Sequence, residues 1–212
     1  MARERNYVSE AVMRRMPKYY RYLTDMEKAG IERVSSKELS QRMGLTASQI
    51  RQDFNCFGGC GQQGYGYNIS ELRHEIHKIL GLHKKHSIII IGAGNIGQAL
   101  ANYTGFEKDG FLVKCLFDIN PRLIGMSIRG KPIYDIDELE DYLKENQVHI
   151  AAICTPKEKA QEVAERLIKN GIKGIWNFAA VDIVVPNNND VIVENVHLSD
   201  SLYTISFQMS GE

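Results

Sequence analysis

Ser87-Ile-Ile-Ile-Ile-Gly-Ala-Gly-Asn-Ile-Gly-Gln-Ala-Leu-Ala-Asn-Tyr-Thr-Gly-Phe-Glu-Lys-Asp-Gly-Phe-Leu-Val-Lys-Cys-Leu-Phe-Asp118 is the stretch whose reading decides the fold. The unbroken isoleucine run Ile88 to Ile91 predicts a strand buried on both faces of a parallel sheet. It runs straight into Gly92, Ala93, Gly94, Asn95, Ile96 and Gly97, after which Gln98 to Tyr103 suits a helix. About twenty residues beyond the last glycine, a second apolar run, Phe111 to Phe117, ends in Asp118. Strand, glycine turn, helix, strand and acid stand in the order a dinucleotide site requires.

Each residue type in that order has a physical task. Gly92 permits a tight turn, Gly94 lets the backbone approach a pyrophosphate, and Gly97 lets the helix pack closely on the strand. The helix opening near Asn95 directs free N–H groups and the positive end of its dipole toward phosphate. Asp118, with Ile119 beside it, is placed to accept hydrogen bonds from the adenosine ribose, and its charge repels a 2′-phosphate. That favours NAD(H) over NADP(H), with Arg122 nearby as the opposing charge. A glycine turn that binds nothing is the alternative; the flanking strand and the acid in register argue against it.

Toward the N-terminus the pattern becomes helical. Ser9 caps a predicted helix over 10–16, and Pro17 is suited to open a second, over 17–29, that ends at Gly30. Arg14, Arg15, Lys18 and Arg21 give these segments a basic face. Ser35-Ser-Lys-Glu38 reads as a capping box for a helix that stops at Gly44, and Thr46-Ala-Ser-Gln49 as another for a helix carrying Ile50, Phe54 and Phe57. Two short helices about a glycine turn are a helix-turn-helix candidate. Ser36 and Thr46 at the helix starts, and Ser48, Gln49, Arg51, Gln52 and Asn55 on the second helix, can meet bases or phosphates. An ordinary helical hairpin with a polar outer face is the competing reading.

The next segment, Gly58-Gly-Cys-Gly-Gln-Gln-Gly-Tyr-Gly-Tyr67, tips the balance. Its glycines, central glutamines and alternating tyrosines predict a β-hairpin whose tip approaches another backbone. Behind a recognition helix that hairpin is a wing, presenting Gln62, Gln63, Tyr65, Gly66 and Tyr67 to a groove. Asn68 then caps a helix to Leu80. His74, His77, His83 and His86 lie along it and in the following linker, with no carboxylate or cysteine completing a metal set, and a solvated face is the expected reading.

Beyond Asp118 the strand–helix alternation continues. A helix is predicted over 135–146 after a turn at Lys131-Pro132, a strand over 148–153, a helix over 156–170, and strands over 174–178 and 191–193. Ligands of open parallel sheets bind outside the carboxyl ends of the strands, which brings Thr155, Pro156, Asn177 and Phe178 to the glycine turn. The chain closes with Leu198, Leu202, Ile205 and Met209 on one helical stripe after the sheet is complete. A partner subunit is its expected acceptor, and a swapped terminal helix gives a C₂ dimer.

Composition bounds the rest. At 212 residues the chain has room for one large domain or two small ones. No apolar run reaches the roughly eighteen residues of a membrane span, and no signal peptide is evident, so a cytoplasmic protein is expected. Cys56, Cys60, Cys115 and Cys154 are too scattered for a disulfide framework. Net charge is zero, but residues 1–67 hold 11 Lys+Arg against 7 Asp+Glu, an excess of +4, and the remainder holds 15 against 19. A basic N-terminal piece suggests a polyanion partner.

Taken together, several stretches resemble the Rex family of redox-sensing transcriptional repressors. They are Arg15-Met-Pro-Lys-Tyr-Tyr-Arg-Tyr-Leu23, Val34 to Leu39, Gln49-Ile-Arg-Gln-Asp-Phe54 with Phe57-Gly58, Gly64 to Tyr67, Ile91 to Gly97, Phe117-Asp118, Gly171 to Phe178 and Glu194-Asn-Val196. The resemblance implies an α/β protein: a winged-helix DNA-binding domain over 1–80, a linker over 81–86, a Rossmann NAD(H)-binding domain over 87–196 and a swapped dimerisation helix over 197–212. It implies a homodimeric repressor of fermentation and respiration genes, released from double-stranded operator DNA by NADH with NAD⁺ competing, and no catalytic or metal-ligating residues. It places Tyr103 beside the nicotinamide and Arg21 at the junction of the domains. The chain departs from the family pattern at Gln52 and Gln62-Gln63, where basic residues are usual, which predicts a shallower salt dependence. His197 stands where the family has an aspartate, so an Arg–Asp pair cannot form there. A small NAD-dependent dehydrogenase, and a dimeric DNA-binding protein that no longer senses redox, are the alternatives. The first lacks both a substrate domain and a His–Asp or Lys–Tyr pair to move a proton.

Overall fold

A computed structural model describes residues 9–56, 61–62, 65–186 and 190–211. The chain divides into two compact units, Met1–Lys84 and Lys85–Glu212. In the first, α1 (Glu10–Lys28) is followed by β1 (Arg33–Val34), α2 (Ser36–Met43), α3 (Ala47–Asn55), β2 (Gly61–Gln62), β3 (Gly66–Asn68) and α4 (Ile69–Ile79). Helix α1 is one helix where two were expected, with Pro17 in its interior. A proline there removes a hydrogen bond and crowds the carbonyl four residues back, at a cost of about 3 kcal/mol. Burial overrides it: Val12, Met16, Tyr19, Leu23 and Met26 hold helical phase on both sides of the exposed Pro17 and enter one core with Leu39, Ile50, Phe54, Leu72 and Ile76. The strands form an antiparallel sheet in the order β1-β3-β2.

In the second unit β4 (His86–Ile91) leads to α5 (Asn95–Asn102), the short α6 (Gly105–Lys108) and β5 (Phe111–Asp118). A hairpin of β6 (Ser127–Ile128) and β7 (Lys131–Asp135) follows, then a 3₁₀ turn over Ile136–Glu138 and α7 (Leu139–Glu145). The chain ends with β8 (Ile150–Ile153), α8 (Lys157–Lys169), β9 (Gly174–Asn177), β10 (Ile192–Asn195) and α9 (Leu198–Met209). Lys131-Pro132 begins a strand rather than a turn, because Ile133 fills a buried place beside Leu116. The helix expected from 135 begins at Leu139, behind a capping box in which Asp135 and Glu138 satisfy each other's backbone.

The sheet order is β10-β9-β8-β4-β5-β7-β6, parallel except for β6. The chain starts at β4, runs outward through β5 and β7, then crosses back to β8 on the other side. That makes β4 the switch point, where open sheets leave a crevice at their carboxyl ends. Arg166 of α8 braces one flank, donating to Glu140 Oε1 at 2.7 Å, Glu140 Oε2 at 2.8 Å and the Ile136 carbonyl at 3.0 Å.

Arg166 holds the Glu140 carboxyl below the usual carboxylate range by these hydrogen bonds. A depressed folded-state value means that the pair stabilises fully above the unfolded value and loses that contribution as pH falls through the folded one. Replacing Glu140 by Gln should therefore lower stability near neutrality, with the deficit closing in acid. Urea titrations across pH, followed by the fluorescence of Trp176, the chain's single tryptophan, check this; a deficit independent of pH contradicts it.

Candidate cofactor site and nucleic-acid interface

At the switch point the glycine turn is fixed by close approach. Gly92 has φ 102°, and a Cβ there would lie 2.7 Å from the Cys154 carbonyl oxygen. A Cβ at Gly97 would run into the carbonyl oxygen of Gly92. Gly94 is different: a Cβ there meets nothing within 4 Å, so the open side of the turn faces the crevice. Helix α5 begins at Asn95 without a side-chain cap, leaving its first N–H groups available to an anion.

Asp118 closes the turn from the next strand. Its Oδ2 accepts from the Ala93 N–H at 2.6 Å and its Oδ1 from the Asn120 N–H at 2.8 Å. A carboxylate oxygen has two lone pairs, so these bonds orient Asp118 and leave acceptor capacity for a ribose. The crevice beside it is a cavity of about 660 Å³ bounded by Gly92, Gly94, Asp118, Ile119, Thr155 and Pro156. The Thr155 hydroxyl oxygen is buried with no hydrogen-bond partner, an orphan that a bound polar group would satisfy. The open cradle at Gly94, the free helix start and this hydroxyl fit a dinucleotide's phosphates and ribose.

Of the expected cofactor residues, Ala93, Asn95, Ile96 and Gly97 build the turn and helix start without lining the cavity. Asn177 is fully buried, its amide donating to Val181 O and Asn195 Oδ1 and accepting from the Ala179 N–H. It holds the end of β9 in place, so any part it plays toward a ligand runs through Phe178. Tyr103, Phe106, Trp176 and Phe178 form an aromatic row with successive centroids 4.7, 5.6 and 4.6 Å apart. The cavity's far wall, Ile136, Asp137, Lys159, Glu162, Val163 and Arg166, had no motif to announce it; it comes from the 3₁₀ turn after β7 and from one side of α8, which only the sheet order brings together.

In the first unit the two-helix element is built as its caps predict. Ser35 and Glu38 form a full capping box, and Gly44 ends α2 in the left-handed conformation at φ 67°. The Thr46 side chain accepts from the Gln49 N–H and starts α3. Ser48, Arg51, Gln52 and Asn55 are exposed and Gln49 is half-buried. Arg51 Nη1 donates to Ser36 Oγ at 3.0 Å, joining the two helices on that surface. Tyr65 is exposed, whereas Tyr67 turns inward and packs edge-on against Phe54 at 4.9 Å. Gly66, at φ 72°, lies so close to Val34 that a Cβ would reach its carbonyl at 2.8 Å, giving that glycine a structural cause. Gln63 lies outside the described residues, and of Gln62 only the backbone is described.

The basic face expected on α1 is largely turned to internal use. Arg15 donates in two parallel bonds of 2.7 Å to Asp53, a residue of α3 that is 2% exposed, and Tyr19 donates to the same carboxylate at 2.7 Å. Lys18 donates to the Met43 carbonyl at the end of α2, and Arg14 pairs with Glu10. Asp53 is the residue the sequence pattern does not announce, since an acid on a helix read as a DNA-facing one carries no signal until its partner is known. Burial and the Asp53 hydrogen bond push the Tyr19 hydroxyl well above its ordinary pKa, so it stays a donor. His197 also has a partner: its Nε2 lies 2.8 Å from Asp182 Oδ1.

No helix among the described residues is long and apolar enough to cross a membrane, and no group of three or more His, Cys, Asp or Glu among them could hold a metal ion. A family model described as "CoA binding domain" matches residues 83–181, and one described as "Putative DNA-binding protein N-terminus" matches 7–55. The chain is 62% identical to a redox-sensing transcriptional repressor Rex of Clostridium botulinum, over 94% of each. It is 56% identical to a Rex of Thermoanaerobacter sp., covering 99% of this chain and 92% of the relative. Among solved structures, RSP in complex with β-NAD⁺ and operator DNA superposes with a TM-score of 0.89 at 57% identity, covering 95% of this chain and 92% of that one. RSP in complex with β-NADH gives 0.88 at 54%, covering 96% and 94%.

Replacing Asp53 by Asn leaves Arg15 without its countercharge, and breaking such a pair costs about 3 kcal/mol. The circular-dichroism transition of the first unit should move to lower denaturant and operator affinity should fall, while the Trp176 transition stays in place. Unchanged unfolding would show that the triad does not anchor α3.

Proposed function

The chain belongs to the Rex family of redox-sensing transcriptional repressors, and on that footing we propose that it binds operator DNA as a dimer and is released when NADH occupies the crevice at β4, NAD⁺ competing for it. It is a repressor and not an enzyme, as its relatives are named across nearly their whole length. The observation that carries the reading is the coexistence, in one chain, of a capped helix-turn-helix and a dinucleotide cradle whose polar lining has an unfilled hydrogen bond at Thr155.

Gly92 to Gly97 and Asp118 hold the ADP half, and Asp118 selects a free ribose diol. Tyr103 and Phe178 wall the nicotinamide half. The oxidised ring is cationic and the reduced ring neutral, so entry into an apolar wall costs the oxidised form part of its hydration. An aromatic face returns about 0.5–2 kcal/mol to a cation, less than the several kcal/mol that desolvating an ion costs. The balance favours NADH. Preference for one redox form becomes regulation only if the two states of the dimer differ in operator affinity.

Helix α9 supports the dimer. Its Leu198, Leu202, Tyr203, Ile205, Phe207 and Met209 are all at least half exposed, and none of its described residues is buried. An apolar helix of this kind calls for a second copy, and a C₂ exchange of α9 meets that need. A cytoplasmic location accords with a protein that acts on DNA.

Operator fragments selected from random duplexes should leave the protein when micromolar NADH is added and remain at the same concentration of NAD⁺. Energy transfer from Trp176 to NADH should rise over the same range. A complex that persists with both nucleotides overturns the sensor reading, and transfer without release would leave a binding protein that does not regulate.

A further inference from the structure

Tyr103 is the C-cap of α5, and its ring folds back over Gly105. A Cβ at Gly105 would lie 2.5 Å from Tyr103 Cε1 and 2.6 Å from both Cζ and Oη. The backbone of Gly105 does not itself call for glycine, since its φ lies outside the left-handed region and it opens α6. Glycine loses more conformational freedom on folding than any other residue and offers no capping side chain. What this position requires is the absence of a side chain under the tyrosine ring.

Arg129 makes a second unfavourable choice that converges on the same residue. At φ 49° it is the one non-glycine residue with positive φ among the described residues. It stands with Gly130, φ 75°, in the two-residue turn between β6 and β7. Such a turn needs positive φ at both centres and suits Asn, Asp or Gly; an arginine there is strained. Its guanidinium supplies the reason: Nη1 donates at 3.1 Å to the carbonyl of Asn102, the residue that leads into Tyr103. That carbonyl is one of those a helix end leaves without an intrahelical partner.

We propose that Gly105 and Arg129 are positioning residues that fix Tyr103 as a wall of the nicotinamide subsite: Arg129 holds the backbone entering it and Gly105 clears the space its ring fills. They thereby set affinity for the nicotinamide end of the ligand and leave the adenosine end alone. The inference rests on the assignment of Tyr103 to the nicotinamide. Two arrangements support the division of labour. The Tyr103 ring continues through Phe106 and Trp176 to Phe178, so a shift of it acts on that aromatic row. The cavity at Asp118 and Thr155 is lined by none of these four residues.

A Cβ at Gly105 collides with the far end of a side chain that is 59% exposed, so Gly105→Ala should fold and displace the ring. Calorimetric titration of the full chain with NADH and with ADP-ribose separates the two ends. Gly105→Ala should weaken NADH about tenfold and change ADP-ribose by less than about twofold. In a Tyr103→Ala background the Gly105→Ala change should have no further effect on NADH. Arg129→Asn suits the turn but removes the donor, and should weaken NADH by about threefold with ADP-ribose unchanged. Unchanged NADH affinity in Gly105→Ala, an equal loss for ADP-ribose, or an effect that persists without the Tyr103 ring would each overturn the proposal. Tyr103→Ala binding NADH as the parent does would instead remove the assignment of Tyr103 on which the proposal stands.

Discussion

The ligand end of the second unit depends on one close approach, that of the turn after β4 to its neighbours. Gly92 passes against the Cys154 carbonyl, Gly97 passes against Gly92, and the Ala93 N–H is tied at 2.6 Å to Asp118 on the next strand. A side chain at either of the first two positions would push the turn off the sheet. The same approach leaves Gly94 facing open space and the start of α5 uncapped, so the packing that closes the fold also shapes the cradle. Structure and binding share a cause here: backbone polar groups can face a ligand only where nothing of the protein covers them.

The first unit solves an analogous problem with charge. A helix whose outer face stays exposed has only its inner face for anchorage. Helix α3 uses Ile50 and Phe54 for burial and Asp53 for orientation. The two parallel bonds from Arg15 define a plane as well as a distance. Such a pair specifies geometry more than it adds stability, since desolvation offsets most of the attraction. Arginines of α1 that look available to DNA in the sequence are therefore partly occupied, and the surface left for phosphates is smaller than the +4 excess suggests.

What was legible in the sequence was local. The isoleucine run, the glycine spacing, the acid at 118, the caps at Ser35, Thr46 and Asn68 and the bounds of α9 all express themselves within a few residues, and each appears in the structure. What was missed needed the tertiary arrangement. Pro17 reads as a helix start until the buried stripe is seen to run through it. Lys131-Pro132 reads as a turn until Ile133 finds its place beside Leu116. Asn177 reads as a pocket residue, and its further task of bracing the end of β9 shows only once its amide is seen bound by Val181, Asn195 and Ala179. Arg129 and Gly105 carry no motif: the first takes its meaning from Asn102, met across the fold, and the second from the way the Tyr103 ring folds back over it.

A repressor released by NADH binds its two ligands at each other's expense. Thermodynamic linkage makes the effect reciprocal: whatever factor NADH imposes on operator binding, the operator must impose on NADH. The most direct test is the NADH dissociation constant of the full chain measured with and without saturating operator duplex, with a scrambled duplex as control. NADH should bind more weakly in the presence of operator, by the same factor by which saturating NADH weakens operator binding, and unchanged with the scrambled duplex. Equal NADH affinity in all three conditions would contradict it.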